Sequence, residues 1–377
     1  MSRILFISNI SYKISSFVTA SISSANALGM DFYHASNWQS VDEKQLRMFE
    51  KEHNIKITSV QIARNPFSRE NISAFNELVE LVKREKIDYI HCNTPTGGIL
   101  GRLAGKKCKV KKVIYQAHGF HFYKGAPLKN WLLYYPVEKI LAHLTDAVIT
   151  INKEDYDLAK SKLRLRKGGK VYYVPGVGID TAQYKKDDTV RAEKRAEIGL
   201  SDGDIALISL GDLIERKNYA VAIRAVAEAQ KDNLHYFICG KGPQEEELRA
   251  VAESLGVSDR VHFLGYRNDV KELLDASDIF LFTSKQEGLA RSMMEAMASG
   301  LPCIASNIRG NTDLLEGAGG YLCETNNSSE YAEKIKILAS DSDLRQQMSN
   351  SNLSAIQKFS TKTVYEEMLN IYRAELK

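Results

Sequence analysis

The chain has 377 residues, 44% hydrophobic and 26% charged, with a formal net charge of +4. That length allows two cores, and the composition is that of an ordinary globular protein. No apolar run approaches the ~18 residues of a spanning helix, and Cys92, Cys108, Cys239, Cys303 and Cys323 lack metal-ligand spacing, which sets aside an integral membrane protein and a zinc enzyme.

The opening MSRILFISNI reads as a strand rather than a leader, so a cytoplasmic protein is expected. Predicted strands over 4–8, 31–34, 55–59, 89–92, 112–116 and 147–151 alternate with helices ending near 28, over 41–52, over 71–85, after Gly97 and Gly98, and over 128–143. Such βα alternation implies a doubly wound parallel sheet. A Pro/Gly turn at 175–178 marks the boundary between a first domain, 1–177, and a second, 178–360. There the alternation resumes, with strands over 204–210, 236–239, 261–264 and 279–282, and a last helix falls within 361–377.

The connections after the strands carry the polar side chains that matter, because ligands of open α/β sheets sit beyond the strands' carboxyl ends. His118, in QAHGFHFYKG, follows one such strand. Gly211 opens a loop that brings Arg216 and Lys217 to a strand-to-helix turn, a plausible diphosphate clamp whose alternative is a solvated cation pair. Gly240 begins the turn Gly240-Lys241-Gly242-Pro243. In TSKQEGLARSMMEAMASG, Glu287 falls in a loop and Glu295 two turns into a helix, whose first N–H groups, at Leu289 and Ala290, suit an anion. The alternative there is an Arg291–Glu295 surface ion pair at i,i+4 spacing.

Charge is unevenly spread. Residues 101–170 hold 16 Lys and Arg against 5 Asp and Glu, and residues 101–137 hold no acid at all. The aromatics interleaved with these bases, from Tyr115 to Tyr135, suit an anionic membrane surface; the alternatives are core aromatics and solvated lysines. No nucleic-acid motif accompanies the charge, so a nucleic-acid partner is not expected.

With seven residues between its two glutamates, 287–295 resembles the Glu-x7-Glu signature of glycosyltransferase family 4, the retaining GT-B enzymes, and the SGLPCIAS strand, the AHG motif and the Gly-x-Gly-Pro turn fit the same pattern. AHGFHFYKGAPLKNWLLYYPVEK followed by TDAVITINKEDY is similar to bacterial members that build exopolysaccharide or capsule repeats. The resemblance implies a GT-B fold, two Rossmann-like doubly wound domains facing a cleft: an acceptor domain at 1–177, a donor domain at 178–360, and a helix at 361–377 packing back on the first.

It also implies retaining transfer of a hexosyl or N-acetylhexosaminyl group from a nucleotide-diphosphate sugar, UDP rather than GDP, to a saccharide acceptor that is lipid-linked, at the inner face of the cell membrane. In that family Glu287 lies beside the donor sugar, His118 contacts it across the cleft, Arg216 and Lys217 hold the diphosphate, Glu295 holds the ribose, and Gly211, Gly240, Leu289 and Ala290 offer backbone to the nucleotide. No metal or other cofactor is implied, because cations and amides stabilise the leaving diphosphate. Two departures stand out: residues 8–12 contain no glycine, and Asp212 stands where the family often has arginine. The rival readings are a UDP-sugar 2-epimerase and a non-catalytic carbohydrate- or membrane-binding protein. A nicotinamide oxidoreductase is disfavoured, since no Gly-x-Gly-x-x-Gly follows the first strand.

Overall fold

Strand β1 (Arg3–Ile10) is apolar on both faces, Ile4 and Phe6 entering one core and Leu5 and Ile7 another. Such a run is what a central parallel strand covered by helices on both sides requires. The computed structural model describes residues 1–376. In its first unit β1 is followed by α1 (Ser16–Ala27), β2 (Asp31–Asn37), α2 (Glu43–His53), β3 (Lys56–Ser59), α3 (Glu70–Arg84), β4 (Tyr89–Asn93), α4 (Pro95–Cys108), β5 (Lys112–Ala117), α5 (Leu128–Ala142), β6 (Ala147–Thr150), α6 (Lys153–Lys162) and β7 (Lys170–Tyr173). The seven strands are parallel, in the order β3-β2-β1-β4-β5-β6-β7. The order reverses between β1 and β4, so the connections after those two strands flank a crevice.

Helix α4 lies close on this sheet because glycine forms its inner face. A Cβ on Gly98 would meet the Tyr115 ring at 2.5 Å and one on Gly101 would meet Cys92 Cβ at 2.5 Å. That approach buries Arg102, whose guanidinium pairs in two-pronged fashion with Glu138 of α5 at 2.6 and 3.0 Å and stacks over Tyr115.

The second unit contains α7 (Asp188–Glu197), β8 (Ile205–Leu210), α8 (Tyr219–Ala229), β9 (Leu234–Cys239), α9 (Glu245–Ser254), β10 (Val261–Gly265), α10 (Val270–Ala276), β11 (Ile279–Phe282), α11 (Arg291–Ala298), β12 (Cys303–Ser306), α12 (Asn311–Leu315), β13 (Gly320–Cys323), α13 (Ser328–Ser340) and α14 (Ser342–Ala355). Its six parallel strands run β10-β9-β8-β11-β12-β13, with the reversal between β8 and β11. Ile205 and Leu207 face one core of this sheet, Ala206, Ile208 and Leu210 the other.

The last helix, α15 (Thr361–Glu375), belongs to the first unit. It lies against α1 and buries Val364, Met368, Ile371 and Tyr372 in the core beneath that sheet. Polar contacts fix its rotation: Tyr372 Oη is 2.7 Å from His91 Nδ1, and Tyr172 donates to the Glu375 carboxylate at 2.6 Å. Removing the Ile371 side chain beyond Cβ would cost about 2–5 kcal/mol, the usual range for a filled core site.

Candidate functional site

At the switch point of the second sheet, the loops after β8 and β11 meet through their backbones as well as their side chains. Thr283, just past β11, donates to the carbonyls of Lys217 and Asn218, and Lys285 N–H donates to the Arg216 carbonyl at 2.8 Å. The strand-to-helix connection after β8 tightens into a single 3₁₀ turn, Glu215–Lys217, and Asn218 takes a left-handed conformation at φ 57° to start α8. This geometry directs both cations to one carboxylate. Arg216 Nη1 and Lys217 Nζ donate to Glu287 Oε1, the lysine at 2.8 Å, and the lysine ammonium lies 4.8 Å over the Phe282 ring. Arg216 also donates to the Gln286 carbonyl at 2.7 Å.

Gly211 and Gly240 sit back to back beside this cluster. A Cβ on Gly240 would stand 1.9 Å from the Gly211 carbonyl oxygen, so no larger residue fits without moving backbone, and Gly211 itself has φ 146°. Tyr219 anchors the same carbonyl through its hydroxyl at 3.0 Å.

Glu295 is held by other partners. Arg291 Nε donates to it at 3.0 Å, so the i,i+4 pair that the spacing allowed is formed, yet the glutamate side chain is mostly buried while the arginine is exposed. Burial, and after it the charge of Glu295 and a hydrogen bond to it, pushes the Tyr184 phenol well above its ordinary range. Two expectations need correction. Helix α11 begins at Arg291, with Ala290 as an extended N-cap, so Leu289 and Ala290 precede the helix and Glu295 lies little more than one turn into it. The turn at Gly288 delays the start. Ala290 makes no side-chain cap hydrogen bond.

Three contributors carry no clear mark in the sequence. Arg309, buried, donates through Nε to the Glu287 carbonyl at 3.1 Å and fixes the loop from behind. Tyr184 joins Glu295 from 111 positions earlier in the chain, and Phe282 supports Lys217. Arg309 is signalled only by its place directly before Gly310. Asp212, at the family's usual arginine position, is exposed.

His118 belongs to the first unit, in the loop after β5, where Phe17 packs edge-on to its ring at 4.8 Å. Both ring nitrogens are buried without a hydrogen-bond partner, and burial lowers its pKa to about 4. The imidazole is therefore neutral near pH 7. It lines a cavity of about 760 Å³ at the crevice between β1 and β4, together with Ser8, His34, Asn93, Tyr134 and Glu138 among others. Nδ1 of His34 is likewise buried and unpartnered, its Nε2 lying 3.0 Å from Ser8 Oγ. Among the described residues that line the cavity there is no lysine or arginine. The one carboxylate of the lining, Glu138, is already paired with Arg102, so hydroxyl, imidazole and aromatic groups are what the cavity offers an occupant.

The basic, aromatic segment 101–137 resolves differently from its sequence pattern. Tyr115, Phe120 and Phe122 are buried in the core, and Trp131, Tyr134 and Tyr135 pack against it half-buried. Lys106, Lys107, Lys109 and Lys111 are exposed at the end of α4 and the turn beyond it. No helix among the described residues is long and apolar enough to cross a membrane, and no group of three or more potential metal ligands occurs among them.

Sequence comparison decides the family. Residues 4–152 match the glycosyl transferase 4-like family and residues 190–354 the glycosyl transferases group 1 family. EpsD of Bacillus subtilis, which carries a glycosyltransferase name, is 33% identical over 99% of this chain and 96% of its own length. The chain belongs to glycosyltransferase family 4. An enzyme from Escherichia coli, UDP-Gal:alpha-D-GlcNAc-diphosphoundecaprenol alpha-1,3-galactosyltransferase, is 26% identical over 82% of this chain and 81% of its own. Anabaena HepE, solved in complex with UDP and glucose, superimposes with a TM-score of 0.80 at 20% identity, covering 99% of this glycosyltransferase and 100% of HepE. The fold of this glycosyltransferase is GT-B.

Proposed function

We propose that this glycosyltransferase moves a hexosyl or N-acetylhexosaminyl group from a UDP-sugar to a lipid-linked saccharide acceptor, with retention, in the synthesis of a bacterial surface polysaccharide, while associated peripherally with the inner face of the cell membrane. The convergence of Arg216 and Lys217 on Glu287 at the switch point of the second sheet carries the reading. When the anomeric carbon parts from the diphosphate, the leaving oxygen gains negative charge, and two cations that have exchanged Glu287 for the diphosphate, Arg216 held by the Gln286 carbonyl and Lys217 over Phe282, stabilise it. The acceptor oxygen bonds to the same face of the carbon and its proton passes to the departing phosphate. No step of that transfer calls on a metal.

Glu287, once the diphosphate has taken over the cations, is released to bind hydroxyls of the transferred sugar. Glu295 binds the ribose hydroxyls, with Tyr184 and Arg291 orienting its carboxylate. Gly211, Gly240, Leu289 and Ala290 let the backbone come close to the nucleotide. His118 is assigned to donor contact by the family resemblance, and its neutral, unpartnered ring suits a hydrogen bond to a sugar hydroxyl. The cavity beside it, lined by no cation and by one carboxylate that Arg102 already pairs, suits the acceptor's terminal sugar. UDP is favoured by what the E. coli relative and HepE are named for using or binding.

Calorimetry with UDP and GDP, followed by product analysis from UDP-sugars with EDTA present, tests the reading. UDP binding and transfer that survive the chelator are expected. Absence of nucleotide binding, or conversion of the donor sugar without acceptor, would overturn it.

A further inference from the structure

Helix α5 is apolar around nearly its whole circumference, yet half of it is uncovered. At 100° per residue, its inner side places Trp131, Tyr134 and Tyr135 against the first core, buries Leu141 and Ala142, and pairs Glu138 with Arg102. The outer side holds Leu128, Leu132 and Ile140, which are 72%, 69% and 67% exposed, with Pro136, Lys129 and Lys139 between them, all exposed as well. No acid lies on that side. A helix this apolar is ordinarily enclosed by protein, and an exposed stripe of large aliphatic side chains costs solubility unless something covers it.

We infer that the outer face of α5 is a membrane-insertion surface, in which Leu128, Leu132 and Ile140 enter the acyl boundary of an anionic bilayer and Lys129 and Lys139 lie among its phosphates. Charge selects this occupant. A second copy of the chain would bring the same two lysines against themselves in a two-fold contact, with no acid on the face to relieve them, whereas acidic headgroups complement them. The exposed Lys106, Lys107 and Lys109 add to the positive field of the same unit, whereas Lys111 is paired with Asp88. The contact falls on α5 and not on Tyr115, Phe120 and Phe122, which the core has taken.

This placement has a consequence for the cavity. Leu133 is 46% exposed and also lines it, and Val137, one turn on, lines it too, so the inserted stripe and the cavity share a rim. An acceptor anchored in the bilayer would reach the cavity along that rim without leaving the membrane, and the charged linkage of such an acceptor would stay outside a lining that has no cation. This second step rests on the lipid-linked acceptor of the proposed function; the insertion itself does not.

The test is co-sedimentation of the full-length protein with vesicles of phosphatidylcholine alone and of phosphatidylcholine with an equal part of phosphatidylglycerol. Wild type should pellet with the anionic vesicles and not with the neutral ones. The variant carrying Leu128→Glu and Leu132→Glu, neither of which lines the cavity, should keep the wild-type melting temperature and UDP affinity but lose roughly tenfold or more of its vesicle binding. Should that variant fail to fold, Lys129→Glu with Lys139→Glu serves instead, with a loss of similar size and an abolished salt dependence. Wild type that ignores anionic vesicles, substituted protein that binds like wild type, or a dimer in light scattering that the leucine substitutions dissociate would each overturn the inference. Vesicle binding with no sugar transfer would leave it standing and sink the transferase reading, and transfer to a soluble acceptor with no vesicle binding would do the reverse.

Discussion

Lys217 Nζ lies 2.8 Å from Glu287 Oε1, and Arg216 reaches the same oxygen, so one carboxylate satisfies both cations of the proposed diphosphate clamp. The two charges are held in place by the acid with which a ligand must compete. Substituting Glu287→Gln removes the competing charge and leaves the cations for phosphate oxygens, so affinity for UDP or inorganic pyrophosphate should rise several-fold while transfer falls. Calorimetry beside initial rates checks both halves; weaker UDP binding in Glu287→Gln would show that the clamp is elsewhere.

Lys217→Ala should lower turnover by roughly 10²- to 10³-fold, the usual loss on removing one preorganised donor to a developing oxyanion. The ammonium is packed over Phe282, so Lys217→Arg should recover little of it. Turnover of Lys217→Ala equal to wild type, measured on purified protein, would remove the lysine from the mechanism.

Glu295 is assigned to the ribose, which makes a prediction independent of turnover. Wild type should bind UDP more tightly than its 2′,3′-dideoxy analogue by about tenfold, since a mostly buried carboxylate loses its partners in the analogue. Glu295→Ala should bind the two alike and show a raised donor KM with kcat little changed. Undiminished discrimination in the variant would contradict the assignment.

The buried Arg102–Glu138 pair should behave as an all-or-none unit. Glu138→Ala strands a guanidinium that is 1% exposed, at a cost of about 3–5 kcal/mol, whereas the double change Arg102→Met with Glu138→Leu should be less destabilising than either single removal of charge. Urea unfolding of Arg102→Met, Glu138→Leu and the double variant, beside Glu138→Ala, decides the point; a double variant as unstable as the sum of its parts would show that the ion pair itself holds α4 to α5.

Stability of the first unit should fall with acid well before its carboxylates titrate. Burial lowers the pKa values of His34 and His91 to about 3 and of His118 to about 4, with the His118 charge a lesser contribution at His91. These folded values lie below the unfolded value of about 6.5. The unfolded chain therefore binds the extra protons, and stability is full above pH 6.5 and lost as pH falls toward 4, by about 1.4 kcal/mol per pH unit for each histidine. Urea midpoints between pH 7 and pH 4.5 should drop, and His34→Gln should flatten the slope by about a third if the three contribute equally.

Much of this is legible from local pattern. Alternating βα periodicity locates β1, β4, β8 and β11, and a loop beyond a strand end is where an open sheet binds its ligand, so the residue order places His118, Arg216 and Glu287 in such loops, while the roles given to them come from the family resemblance. It misplaces the start of α11, because Leu289 and Ala290 have helical propensity and the turn at Gly288 overrides it. It also passes over helix α6: the local sequence there is charged and short, and its cap, Asn152 accepting from the Asp155 N–H, is a hydrogen bond that periodicity does not register.

The chain alone determined which residues bear charge at strand ends and that two parallel sheets would form, since strand, turn and helix periodicities are properties of neighbours in sequence. Tertiary structure decided the pairings between distant segments: Lys217 with Glu287, Tyr184 with Glu295, Arg102 with Glu138, and Tyr372 with His91. It also decided that the aromatics of 115–122 go inward while Leu128, Leu132 and Ile140 stay out. The physical reason is that burial belongs to a packed surface, and a leucine at the right helical spacing carries no mark of whether protein, water or lipid will lie against it.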